Sequence, residues 1–264
     1  MWKEQRRRKL IAAPFPSDWK RIVETHCPFH EKLPEPDRRE LEKHIKVFLA
    51  EKKFEGCDGL TITDEIKVGI AAQTCLLLLH RDTDCYPALQ TILVYPSSYF
   101  APTTRHVGSG VLEESHQARA GESWREGVVV LAWDEVCKDA TASALSNVVL
   151  HEFAHQLDWE DGRADGAPVL GNGEPYALRR TRYETWKRVM VAGYEQLRAK
   201  VASGASDVLR DYGATNPAEF FAVATESFFV NPQELLRSHA ELYAELKWYY
   251  RQDPAQWLPA QPSN

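Results

Sequence analysis

The chain has 264 residues, 44% of them hydrophobic, and its 38 acidic and 32 basic side chains give a net charge of −6. That is enough apolar material for one full-sized core, and the acidic balance argues against direct nucleic-acid binding, which needs clustered Lys and Arg. No stretch approaches the about 20 apolar residues of a membrane-spanning helix; the leucine run at 76–79 is bracketed by Gln73 and His80.

The basic run Arg6-Arg7-Arg8-Lys9 is followed by too few apolar residues before Pro14 and Pro16 to make a signal-peptide core, so the expected location is the cytoplasm. Residues 1–36 are rich in proline, charge and aromatics without sustained periodicity and read as an extended N-terminal arm with short helical pieces. The domain proper is expected over 37–252, with a flexible tail at 253–264. Leu41, Ile45, Phe48 and Leu49 recur at helical spacing, which predicts a helix over 37–53 that stops before Gly56. A second helix fits 63–79. Residues 91–95 and 127–133 are short, rich in β-branched and aromatic side chains, and bounded by Pro96 and Gly127, as strands are. The strand at 128–131 is a candidate edge strand for an extended peptide.

Residues 142–157 predict a largely buried helix, because Val148, Val149, Leu150, Phe153, Ala154 and Leu157 surround the polar trio His151, Glu152 and His155. A glycine- and acid-rich loop follows at 158–168, then a helix over 179–201. The last two helices open with one signature, Asn216-Pro217 with Glu219 and Asn231-Pro232 with Glu234: Asn caps, Pro takes the first turn, and Glu sits third. The cysteines Cys27, Cys57, Cys75, Cys85 and Cys137 form no C-x-x-C pair and read as reduced packing residues. The fold class is therefore α+β, helix-rich, with a small mixed sheet beside the helix at 142–157.

That helix carries the chemistry. His151-Glu152-Phe153-Ala154-His155 is an H-E-x-x-H pentad, and four-residue spacing on a helix stacks both imidazoles on one face where they can share a zinc ion. Two histidines and a glutamate inside an apolar helix need a compensating partner, which a metal supplies. The extended pattern with glycine and a third histidine fails, since Asp158 and Asp161 stand at those positions. A carboxylate from elsewhere is implied, and Glu160, Glu174, Glu184, Glu219 and Glu226 all qualify; Glu219 also reads as a capping-box residue reaching back to Asn216. Asp158, three residues after His155, is a candidate to accept from that ring and orient it, or simply a helix end. Metal-activated water with Glu152 as proton carrier would hydrolyse peptide bonds, and a zinc hydrolase of non-peptide amides would use the same residues.

Three blocks, GESWREGVVVLAW at 121–133, LHEFAHQLD at 150–158 and DYGATNPAEFFAV at 211–223, resemble the Mlc titration factor A family of bacterial cytoplasmic zinc peptidases. The last two are also similar to the catalytic domain of anthrax lethal factor, in which a tyrosine stands seven residues before the ligand glutamate and two phenylalanines follow it. Tyr212, Glu219, Phe220 and Phe221 match position by position. The resemblance implies a zincin-like domain, Zn2+ held by His151, His155 and Glu219, and Glu152 and Tyr212 as catalytic groups. It further implies an aminopeptidase-like activity on short peptides and binding of the Mlc-type repressor of the glucose system. A non-catalytic role in sequestering that repressor is the alternative.

Overall fold

The computed structural model describes residues 2–81, 84–97, 103–107, 111–115, 127–140, 146–171 and 175–257. Two helices, α1 (Trp2–Ala12) and α2 (Ser17–His26), occupy the segment expected as an arm. No residue of α1 is buried, and polar contacts hold it: Arg7 pairs with Glu51, and Lys3 with Asp84. α2 buries Val23 and His26 beside α4 (Asp64–Leu76).

Helix α3 (Glu35–Glu51) inserts Leu41, Ile45, Val47 and Phe48 into the core. It ends at Lys52, whose ammonium donates to the carbonyls of Tyr86 (2.6 Å) and Leu89 (2.8 Å). That tie sets the chain entering β1 (Lys53–Gly56), a strand too short to register in the periodicity, beside β2 (Thr91–Tyr95). β5 (Val128–Ala132) follows on the other side of β2, so the order is β1-β2-β5 and both pairings are parallel, with Thr91 opposite Lys53 and Val128. The sheet expected to be mixed thus separates into this parallel trio and an antiparallel pair, β3 (Thr103–Val107) with β4 (Val111–Ser115). β5 lies at an edge of its sheet among the described residues. Ile92, Val94, Val129 and Leu131 alternate onto the buried face, as period-two side chains do.

α5 (Trp133–Asp139) leads to α6 (Val148–Asp158), which carries the pentad. The spacing places the start of that helix at 142, but Ser146 and Asn147 are non-helical and α6 begins at Val148; residues 142–145 lie outside the described residues. The capping chemistry explains the later start. Asn147 Oδ1 accepts from the amide of Leu150 (2.8 Å) and Asp139 from that of Val148 (2.6 Å), which satisfies amides that no intrahelical carbonyl reaches.

α6 lies in the middle of the molecule: every residue from Val149 to Asp158 is buried. α8 (Pro217–Val230) is likewise buried from Ala218 to Phe229 and packs against it. Helices apolar on all sides belong in the interior. Phe153 joins the layers, its ring 5.8 Å from Phe48 and 5.1 Å from Tyr86. α7 (Tyr176–Ser203) crosses α8 closely at Gly193, where a Cβ would stand 2.8 Å from the Phe220 ring. α9 (Pro232–Ser238), α10 (Ala240–Tyr250) and α11 (Pro254–Trp257) complete the described residues. Asn216 caps α8 with its side chain, accepting from the Glu219 amide (3.0 Å), whereas Asn231 makes no such bond at α9, contrary to their shared signature. All five cysteines are free, Cys75 fully buried. Among the described residues no helix is long and apolar enough to cross a membrane.

Candidate metal centre

Capping of α6 at Asn147 sets the phase of its first turn, and four residues of helix then bring His151 and His155 to one face. Their rings lie 4.9 Å apart, with Nε2 atoms separated by 3.3 Å. Glu219, third residue of α8, turns its carboxylate towards them instead of back to Asn216. Its Oε2 lies 3.1 Å from His151 Nε2 and 3.2 Å from His155 Nε2. Only the backbone half of the capping box forms, because the side chain is taken up by the histidines.

The spacing bears on whether these residues fit a metal. Donors bound at 2.0–2.1 Å around a tetrahedral ion stand about 3.3–3.4 Å apart, close to the 3.1–3.3 Å found here. Among the described residues His151, His155 and Glu219 form the group of buried side chains that could hold a metal ion. Two imidazoles and one carboxylate suit a borderline divalent transition metal better than magnesium or calcium, which favour oxygen.

The other carboxylates expected as alternatives fall elsewhere. Glu184 is exposed and pairs with Arg180. Glu160 lies in the 3-10 turn after α6, and Glu174 is outside the described residues. Glu226, two turns beyond Glu219, sits behind His151: its Oε1 is 2.6 Å from His151 Nδ1 and also receives Arg210, while its Oε2 accepts from the Asn147 amide at 3.1 Å. It is thus an acceptor that orients His151, whereas the sequence offers Asp158 as an acceptor for His155 or simply as a helix end. Asp158 instead accepts from the Gly166 amide (2.9 Å) and fastens the following loop, and burial pushes its pKa up to about 7. Seven-residue spacing from Glu219 could have marked Glu226 as sharing a helix face, but not which imidazole edge it meets.

Electrostatics follow the geometry. Burial opposes charge on His151, yet its contacts with Glu219 and Glu226 outweigh that and lift its pKa to about 10. Burial resists ionisation of Glu219 as well, and the two histidines override it, bringing its pKa to about 2. Glu226 is likewise held below the ordinary carboxylate range, by His151, Arg210 and the Asn147 amide acting against burial. A metal bound here would take the place of protons on the imidazoles. Burial raises the Glu152 pKa while the neighbouring histidines lower it, the net direction being up.

Tyr212 lies in the 3-10 turn Asp211–Ala214, its ring 6.0 Å from that of His151. Burial and the charge of Glu219 push its pKa well above 10, which keeps the hydroxyl a donor. The structure therefore brings together His151, Glu152, His155, Tyr212 and Glu219, from three separate segments of the chain. His80 is exposed and pairs with Asp37 (3.2 Å); the side chains of His106 and His116 lie outside the described residues.

Paired imidazoles and a carboxylate from a second helix, flanked by a buried glutamate and a tyrosine, make a centre of the metal-dependent hydrolase class. The comparisons narrow the class. Residues 1–251 match the family of glucose-regulated metallo-peptidases M90, and the chain belongs to that family. It is 40% identical over 255 residues to the uncharacterized protein slr2042 of Synechocystis sp., covering 96% of this chain and 90% of that one. It is also 30% identical over 224 residues to the Mlc titration factor A of Serratia proteamaculans, covering 83% and 82% of the two chains. The Mlc titration factor A of Yersinia pestis is 27% identical over 234 residues, covering 87% and 83%.

Proposed function

We propose that this protein is a zinc-dependent peptidase of zincin-like architecture acting on short peptides, with His151, His155 and Glu219 as metal ligands and Glu152 and Tyr212 as catalytic residues. The observation that carries the reading is the convergence of His151 Nε2, His155 Nε2 and Glu219 Oε2 to within 3.1–3.3 Å of one another inside the core. The family membership supports the same chemistry.

A bound zinc supplies Lewis acidity, lowering the pKa of water and polarising a carbonyl. The chain supplies the rest. Glu152 takes the proton of the attacking water and passes it to the leaving amine, and its burial suits a carboxyl that must both accept and return a proton. Tyr212 donates its hydroxyl to the oxygen on which negative charge develops, an interaction that strengthens in the transition state. Glu226, paired with His151 Nδ1, holds that ring so that Nε2 faces the ligand set. The edge of β5, unpaired among the described residues, offers backbone groups to an extended peptide.

Replacing Glu152 with Gln tests the mechanism. Metal content is expected to stay at the parent level while peptide hydrolysis falls by about 100-fold or more; hydrolysis at the parent rate would refute the assigned base. Aminopeptidase preference is checked on the same protein by comparing free and N-blocked peptides, with cleavage expected of the free ones only.

The second reading is regulatory. Relatives of this chain bear the name Mlc titration factor A, and this supports binding of an Mlc-type repressor alongside the peptidase activity; the location proposed for both roles is the cytoplasm. Binding that persists in E152Q would mark that role as non-catalytic.

A further inference from the structure

One ion pair joins the two parts of the site that come from different segments. Arg210 Nη2 meets Glu226 Oε1, the same oxygen that receives His151 Nδ1 at 2.6 Å. The backbone of Arg210 is also the N-cap of the 3-10 turn Asp211–Ala214 that presents Tyr212. The side chain of Arg210 therefore reaches back to the histidine support, while its main chain starts the turn that carries the tyrosine.

Burial makes the contact consequential. The Glu226 side chain is 3% exposed and that of Arg210 44%, so a carboxylate shut away from water has its cationic partner at the protein surface. Arg210 and His151 share Oε1, leaving Oε2 to the Asn147 amide at the start of α6. Removing the guanidinium leaves the carboxylate to rely on His151 and one amide, and a buried carboxylate stripped of a partner loses its fixed orientation.

Building on the zinc-site reading, the geometry points to Arg210 as a positioning residue that acts through Glu226. It holds the carboxylate in the orientation that fixes His151, and by the same grip it fixes the turn bearing Tyr212 against the metal helices. Metal affinity and placement of the oxyanion donor are thereby tied to one contact.

The test is a double-mutant cycle on the full-length folded protein, read as zinc dissociation constant by chelator competition. Arg210→Met and Glu226→Gln are each expected to weaken zinc binding by about 10- to 100-fold, the range typical of outer partners of metal ligands. R210M/E226Q is expected within about threefold of E226Q alone, since two residues acting through one contact do not add. R210K, which keeps the charge, restores part of the affinity. In steady-state kinetics at saturating zinc, R210M lowers kcat with little change in KM, as loss of the Tyr212 donor does.

Parent-level affinity in folded R210M, or effects of R210M and E226Q that multiply in the double variant, would overturn the inference. Should R210M not fold, R210K and R210K/E226Q complete the same cycle. A parent protein that takes up no zinc defeats the reading of the site itself, a result separable from failure of the cycle.

Discussion

Helices α8 and α9 begin with the same four-residue signature and end up in opposite situations. At α8, Asn216 has fully extended backbone and its side chain caps the Glu219 amide, while the Glu219 carboxylate is buried against two histidines. At α9, Asn231 already closes the preceding helix, with φ −125° and ψ 50°, so its side chain cannot cap, and Glu234 pairs with Arg237 near the surface. Local chemistry starts both helices. What stands opposite the third residue decides whether its carboxylate is a solvated helix-end charge or a candidate ligand.

That contrast breaks most sharply under substitution of the two glutamates. Glu219→Ala is expected to remove a metal ligand and weaken zinc binding by more than the about 10- to 100-fold typical of an outer partner. Glu234→Ala is expected to leave binding and hydrolysis at parent level, and chelator competition reads both. Equal outcomes in the two variants would mean that the Glu219 carboxylate is not a metal ligand.

Gly166 has φ +76°, and a Cβ there would lie 2.5 Å from the carbonyl oxygen of Pro217, the first residue of α8. Gly166→Ala is expected to cost about 2 kcal/mol from backbone strain and the clash. Because the displaced residue lies two before Glu219, zinc affinity should fall as well, and denaturant titration with and without zinc separates the two effects.

The cap itself predicts a smaller difference. Asn216→Ala is expected to destabilise the fold by about 1 kcal/mol, and Asn231→Ala, which loses no side-chain cap, by no more than about 0.5 kcal/mol. Matching losses at the two sites would contradict the capping geometry.

The smallest effect lies at the far end of α9. There His239 Nε2 meets Asp207 Oδ1 at 2.8 Å, and Lys200 meets Oδ2 at 2.8 Å. Burial raises the Asp207 pKa, but the Leu209 amide, Lys200 and His239 bring it below the ordinary 3.8. A depressed carboxyl pKa stabilises the fold above the unfolded value and loses that contribution as pH falls below it. The stability gap between the parent and Asp207→Asn should therefore close as pH drops from 6 towards 3, as thermal melts would read. A gap that widened on acidification would reverse the sign of the account.

Much of this was legible in the sequence because short-range chemistry fixes it. The H-E-x-x-H spacing, the run at 91–95, the 3-4 recurrence of Leu41, Ile45 and Phe48, and the Asn216 cap depend on neighbours within a turn or two. What escaped depends on partners far along the chain. β1 has four residues and is a strand because Lys52 ties its entry to the carbonyls of Tyr86 and Leu89. Glu226 supports His151 across 75 positions, and no pattern near either residue announces the other. Asp158, three residues after His155, offers itself as that ring's acceptor or as a helix end; it does end α6, and a turn tightened at Gly166 claims its carboxylate. Glu219 was narrowed from five candidates by resemblance alone, since spacing says where a carboxylate can point and not what it meets.

Elemental analysis of the purified, dialysed protein decides whether the buried triad is a zinc site. One zinc per chain is expected in the parent and in E152Q, and none retained in His151→Ala or E219A. A parent chain that holds no metal, or an H151A chain that keeps a full equivalent, would contradict it.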